Sequence, residues 1–141
     1  MNLKTTFSMF EEKVFQIFFH PGEVMEVRGM GIYGKSLLWS GYSKGLISGY
    51  FDDYTQFKLK VQPLNQLKHT GLYFTLQKID TRLLGRAFNR LIVADKTTSD
   101  RDVLAYRWLP LDFDPIRPSG VGSSDSELRE ALFDSYLVFK G

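Results

Sequence analysis

An α+β domain, a mixed β-sheet with helices packed on it, is the fold this chain predicts. Three observations predict it. Short apolar segments such as "LISGYF" and "GLYFTL" are bounded by glycine, proline and aspartate, as strands are. Between them lie stretches with apolar residues at helical spacing, opened by capping residues. Hydrophobic residues make up 43% of the 141, enough for a packed core and too many for disorder.

The elements follow in order. Phe7, Phe10, Val14, Ile17 and Phe18 recur at helical spacing and predict a short amphipathic helix over 7–19. Pro21-Gly22 reads as a turn feeding a strand over 23–28. The glycine-rich stretch 29–49 predicts a hairpin or loop before a second strand, 46–51. Asp52 and Asp53 can cap a helix over 54–62 that Pro63 closes.

In the second half, 71–76 predicts a strand, and Asp80 or Thr81 caps a helix reaching about Leu91. Ser99 and Asp102 stand at capping-box spacing. A strand over 107–114 comes next. Ser124 and Glu127 form a second capping box, opening a helix that keeps Leu128, Ala131, Leu132, Tyr136 and Phe139 on one stripe. No internal repeat appears, and the reading is one domain over 1–141.

Composition removes several function classes. There is no cysteine, so disulfide frameworks and thiolate metal sites are out. A net charge of +2 is too small for a global electrostatic signature, so nucleic-acid binding would need a local patch. No apolar run approaches a membrane span, and the N-terminus does not read as a signal peptide, which makes a cytoplasmic protein the expectation. His20 and His69 lack partners at metal-ligand spacing.

The chemistry-bearing residues sit in "WLPLDFDPIRPSG". On a strand Asp112 and Asp114 share a face, while Leu109, Leu111 and Phe113 share the other. Neighbouring carboxylates repel, and a hard divalent cation taking oxygen ligands would relieve the conflict. The alternative is a solvated strand exit before Pro115. Beyond the pair, "RPSGVGSS" sets Arg117, Ser123 and Ser124 just ahead of a helix N-terminus, where free N–H groups and the helix dipole favour a phosphate. There too a plain turn and cap is the alternative. Arg86 and Arg90, at i and i+4 on the expected helix, could meet a nucleic-acid backbone or simply face solvent. Tyr33, Trp39 and Tyr42, with Lys35 and Lys44 nearby, form the one aromatic cluster suited to base stacking, with a plain hydrophobic hairpin as the alternative.

The succession "SGYFDD", "GLYFTL", "LLGRAFNRL" and "TTSDRDVLAYRWLPLDFDPIRPSGVGSSDSE" resembles the archaeo-eukaryotic primase superfamily. The likeness is to the primase-polymerase domains of phages, plasmids and other mobile elements, covers roughly 21–132, and is most specific over 97–127. It implies an RNA-recognition-motif-like catalytic core and a DNA primase/polymerase activity using Mg²⁺ or Mn²⁺ and nucleoside triphosphates on a DNA template. Asp112 and Asp114 match the family's first acidic motif position for position. A Ser-x-His-like motif and a third, aspartate-bearing motif are not found downstream. The chain therefore reads as the N-terminal half of such a domain, inactive by itself, with the missing C-terminal half or a replicative helicase as protein partner. A non-catalytic remnant that binds single-stranded nucleic acid or a replication partner is the alternative, and a metal-dependent nuclease is the third.

Overall fold

The computed structural model describes residues 12–13 and 15–140. The chain divides into two compact units, Met1–Trp108 and Leu109–Gly141. The first is an α+β layer structure around a five-stranded mixed sheet. Its strands are β1 (Met25–Gly34), β2 (Trp39–Ser40), β3 (Ser43–Phe51), β4 (Gly71–Phe74) and β6 (Arg90–Val93), in the order β2-β6-β3-β1-β4. All neighbours are antiparallel except β2 and β6. A second ladder pairs β5 (Lys78–Ile79) with β7 (Val103–Ala105).

The centre of the sheet is the β1–β3 hairpin that the glycine-rich stretch predicted, with β1 longer than expected. Met25 opposes Phe51 and Gly34 opposes Ser43, with a bulge between Met30 and Ile32. Gly31 is the extra residue. Its φ of +71° and the Thr70 amide nitrogen 2.8 Å from where a Cβ would stand both require glycine. The bulge resets the alternation, so Ile32 shares a face with Val27, and Tyr33 turns to the other side.

Each face buries its own core. On one, Val27, Ile32, Ile47 and Phe51 pack with Val61 of α1 (Tyr54–Val61) and Leu64 of the following 3₁₀ turn, Gln62–Gln66. Asp53 caps α1 as expected, its Oδ1 accepting from the Gln56 amide at 2.8 Å. Phe15, from the helical residues 15–18, packs on Tyr54 and Phe57 with ring centroids 4.8 and 4.7 Å away. Of the predicted N-terminal helix, residues 7–11 and Val14 lie outside the described residues. On the other face Val24, Tyr50 and Ile79 pack with Leu83 and Ala87.

Two expected elements are corrected. The helix from Asp80 to Leu91 is instead a 3₁₀ segment, Thr81–Arg86, followed by β6. Asp80 does cap it, accepting from the Arg82 amide at 2.9 Å. The helix stops because Asn89 takes φ +46° and turns the chain into the sheet beside Tyr50. Arg86 and Arg90 accordingly do not share a helix face: one ends the 3₁₀ segment, the other begins a strand.

The strand over 107–114 does not form. The Gln77 side chain satisfies the backbone there, its Oε1 accepting from Arg107 and Trp108 amides at 2.7 and 3.0 Å and its Nε2 donating to Trp108 O at 2.6 Å. Beyond Trp108, Pro110 and Pro115 withhold two ladder donors, and Leu109 and Leu111 are exposed. The second unit is thus an irregular segment followed by α2, Asp125–Lys140, which buries no residue. No helix among the described residues is long and apolar enough to cross a membrane.

Candidate functional site

The predicted acidic and phosphate-facing residues, Asp112, Asp114, Arg117, Ser123 and Ser124, all fall within the unit Leu109–Gly141. Asp112 and Asp114 are exposed and flank the half-buried Phe113, in irregular chain rather than on a strand. Their environment is wet, so neither bears the cost of an unpaired buried charge. Among the described residues no group of three or more His, Asp or Glu stands together as a ready metal cage.

After Pro115 the chain turns back on itself. The Arg117 guanidinium donates through Nη1 to the carbonyl of Val121, closing the turn through Gly120, whose φ is +79°. One of the guanidinium's five N–H donors is used this way, and the others can serve a ligand. Ser124 then opens α2 with the predicted capping box. Its amide donates to Glu127 Oε2 at 2.7 Å, its hydroxyl donates to the same oxygen at 2.8 Å, and the Glu127 amide donates back to Ser124 Oγ at 3.4 Å. Backbone and hydroxyl donation from Ser124 hold the Glu127 carboxyl below the usual range. Ser123 is half-buried beside this cap.

Arg86 and Arg90 lie in the other unit. The Arg86 Nη1 donates to Tyr50 Oη at 3.3 Å and to Thr97 O at 3.4 Å, and stands 4.0 Å from Asp102 Oδ2. Arg86 is therefore engaged with the fold itself. Arg90 is exposed at the start of β6.

Around Arg86 the structure holds a polar network that sequence reasoning missed. Glu26 is fully buried on β1, and its carboxylate is fully used. Oε2 accepts from Arg28 Nε and Nη2 at 2.9 and 2.8 Å and from the Thr98 amide at 3.0 Å; Oε1 accepts from Ser48 Oγ at 2.7 Å. Burial pushes this carboxyl's pKa up, but the bonds from Arg28, Ser48 and Thr98 outweigh it and leave the value lowered. Arg28 also donates to Thr98 O at 2.6 Å, and the Thr98 hydroxyl meets Tyr50 Oη at 3.3 Å. One signal was available: Glu26 and Arg28, two apart on a strand, share a face.

The network fastens 97–98 to the sheet just ahead of the Ser99–Asp102 turn, where the Ser99 amide and hydroxyl donate to Asp102 Oδ2 at 2.8 and 2.9 Å. Farther along, Arg107 forms a two-pronged ion pair with Glu23. The chain from Thr97 to Trp108 is thus tied down at successive points before the acidic segment begins. No family model, curated protein or solved structure matches the chain.

Proposed function

We propose that the chain contributes to a metal-dependent DNA primase/polymerase, a nucleotidyltransferase of the kind its sequence resembles. Asp112 and Asp114 serve as the metal ligands, and Arg117 with Ser123 and Ser124 as the phosphate contacts. The observation that supports this best is the grouping in one compact unit of two exposed carboxylates, a partly committed arginine and a serine-capped helix start.

The donor set suits Mg²⁺ or Mn²⁺. Mg²⁺ takes one or two carboxylates, keeps several waters, and completes its shell with substrate phosphates. When bound, such an ion would neutralise charge on the triphosphate. The chain's own residues do the rest. Asp112 and Asp114 hold hard anionic oxygens toward solvent, and Arg117 offers a planar fork for a phosphate. The start of α2, whose Glu127 amide is taken by the Ser124 cap, adds the positive end of a helix dipole. Mg²⁺ or Mn²⁺, nucleoside triphosphates and a DNA template are the ligands of this reading. A polypeptide supplying the remaining motifs, or a replicative helicase, is its protein partner.

Anisotropy of a fluorescent nucleoside triphosphate analogue tests it. Binding should strengthen on adding Mn²⁺, lose that gain in the Asp112→Asn, Asp114→Asn double variant, and weaken about tenfold in Arg117→Gln. Binding indifferent to Mn²⁺ and to both aspartates would instead select a non-catalytic nucleic-acid-binding module.

A further inference from the structure

The far end of the β1–β3 hairpin has a composition unlike the rest of the chain. From Val27 to Phe51 there are Arg28, Lys35 and Lys44 and no acidic residue; from Tyr54 to Ile79 there are four lysines and again no acid. The whole chain carries 18 basic and 16 acidic residues, so these two stretches are more positive than the chain as a whole. Arg28 is neutralised by Glu26. Lys35, Lys44 and Lys68, by contrast, make no ion pair among the described residues.

Aromatic surface is exposed at the same end. Tyr33 is 72% exposed and Tyr42 62%. The bulge at Gly31 turns Tyr33 out of the core, and its ring lies over Gly45, where a Cβ would come within 3.1 Å of the phenol oxygen. Tyr33 sits directly opposite Lys44 in the ladder. A shallow pocket of about 330 Å³, walled by Tyr33, Lys35, Trp39, Leu67 and Lys68, opens beside it. An exposed ring braced on glycine, a pocket of nucleotide size and unpaired ammonium groups on its rim are what an unpaired base with its phosphates requires.

We propose that this hairpin end binds single-stranded DNA, with Tyr33 stacking on a base and Lys35, Lys44 and Lys68 meeting adjacent phosphates. The preference for a single strand over a duplex comes from the ring, which needs an unstacked base face. The choice of DNA over RNA rests on the primase/polymerase reading. The surface uses neither Asp112 nor Asp114, so either assignment can fail without the other.

The test is fluorescence anisotropy of the full chain with labelled oligo-dT, oligo-U and a duplex of equal length, in EDTA. Oligo-dT should bind tightest, with affinity unchanged in Asp112→Asn plus Asp114→Asn. Tyr33→Ala should weaken it at least fivefold, and Tyr33→Phe, which keeps the ring, should retain it. Replacing Lys35, Lys44 and Lys68 with glutamine should make the slope of log affinity against log salt shallower by about 2. Thermal melts of the variants confirm that each is folded. Equal affinity of Tyr33→Ala and the unaltered chain, or an unchanged salt slope in the lysine variant, would overturn the surface assignment. Preference for the duplex would overturn the single-strand reading, and preference for oligo-U the choice of DNA.

Discussion

The buried carboxylate of Glu26 accepts a hydrogen bond from the Thr98 amide at 3.0 Å, across 72 positions of sequence. It joins the sheet's central hairpin to the segment that leads toward the acidic residues. Removing its charge should loosen both ends. Glu26→Gln leaves Arg28 without its counter-charge and should lower stability by about 3 kcal/mol, read from urea denaturation.

The same carboxylate sets a pH dependence. Its folded-state pKa is lowered, so the unfolded chain binds protons more readily. Its stabilising contribution is complete above the ordinary value of 4.5 and is lost as pH falls through the lowered native value. Melting temperature should therefore fall below pH 4.5, and Glu26→Gln should flatten part of that descent.

Asn89 does two things at once. It takes φ +46°, and its side chain exchanges hydrogen bonds with Asp52, donating to Oδ1 at 2.6 Å and accepting from the amide at 3.1 Å. Asn89→Gly keeps the turn and loses the bonds, which should cost about 1 kcal/mol. Asn89→Ala loses both and should cost about 2 kcal/mol, measured in the same denaturation assay.

The cap of α2 is testable by itself. Ser124→Ala removes the hydroxyl that both donates to Glu127 and accepts from its amide. The helix should lose about 1 kcal/mol, seen as faster amide exchange in its first turn with the sheet's protection unchanged.

Local chemistry was legible in the sequence; long-range pairing was not. Asp53 and Ser124 cap the helices they were expected to open, while Asp80 caps a 3₁₀ segment where a helix was expected and Ser99 with Asp102 brackets a single 3₁₀ turn; a cap is decided within three or four residues. The hairpin was legible because glycines mark where β1 bulges and turns. Leu83, Leu84, Ala87 and Leu91 carry helical spacing, yet Tyr50 recruits Asn89 and its neighbours into the sheet. Likewise the alternation of Leu109, Leu111 and Phe113 suggested a strand, but prolines and the Gln77 side chain decide that backbone. Glu26 looked like any strand-borne acid, since its partner Thr98 is distant in sequence. Asp112 and Asp114 were named as a pair from the sequence, but the face they were to share belonged to a strand that does not form.

Titration of Mn²⁺ followed by the electron paramagnetic resonance signal of the free ion tests the central claim most directly. The unaltered chain should quench the signal in proportion to protein, and Asp112→Asn plus Asp114→Asn should abolish the quenching while leaving the melting temperature without metal unchanged. Equal quenching by both proteins, or none by either, would contradict a cation held by Asp112 and Asp114.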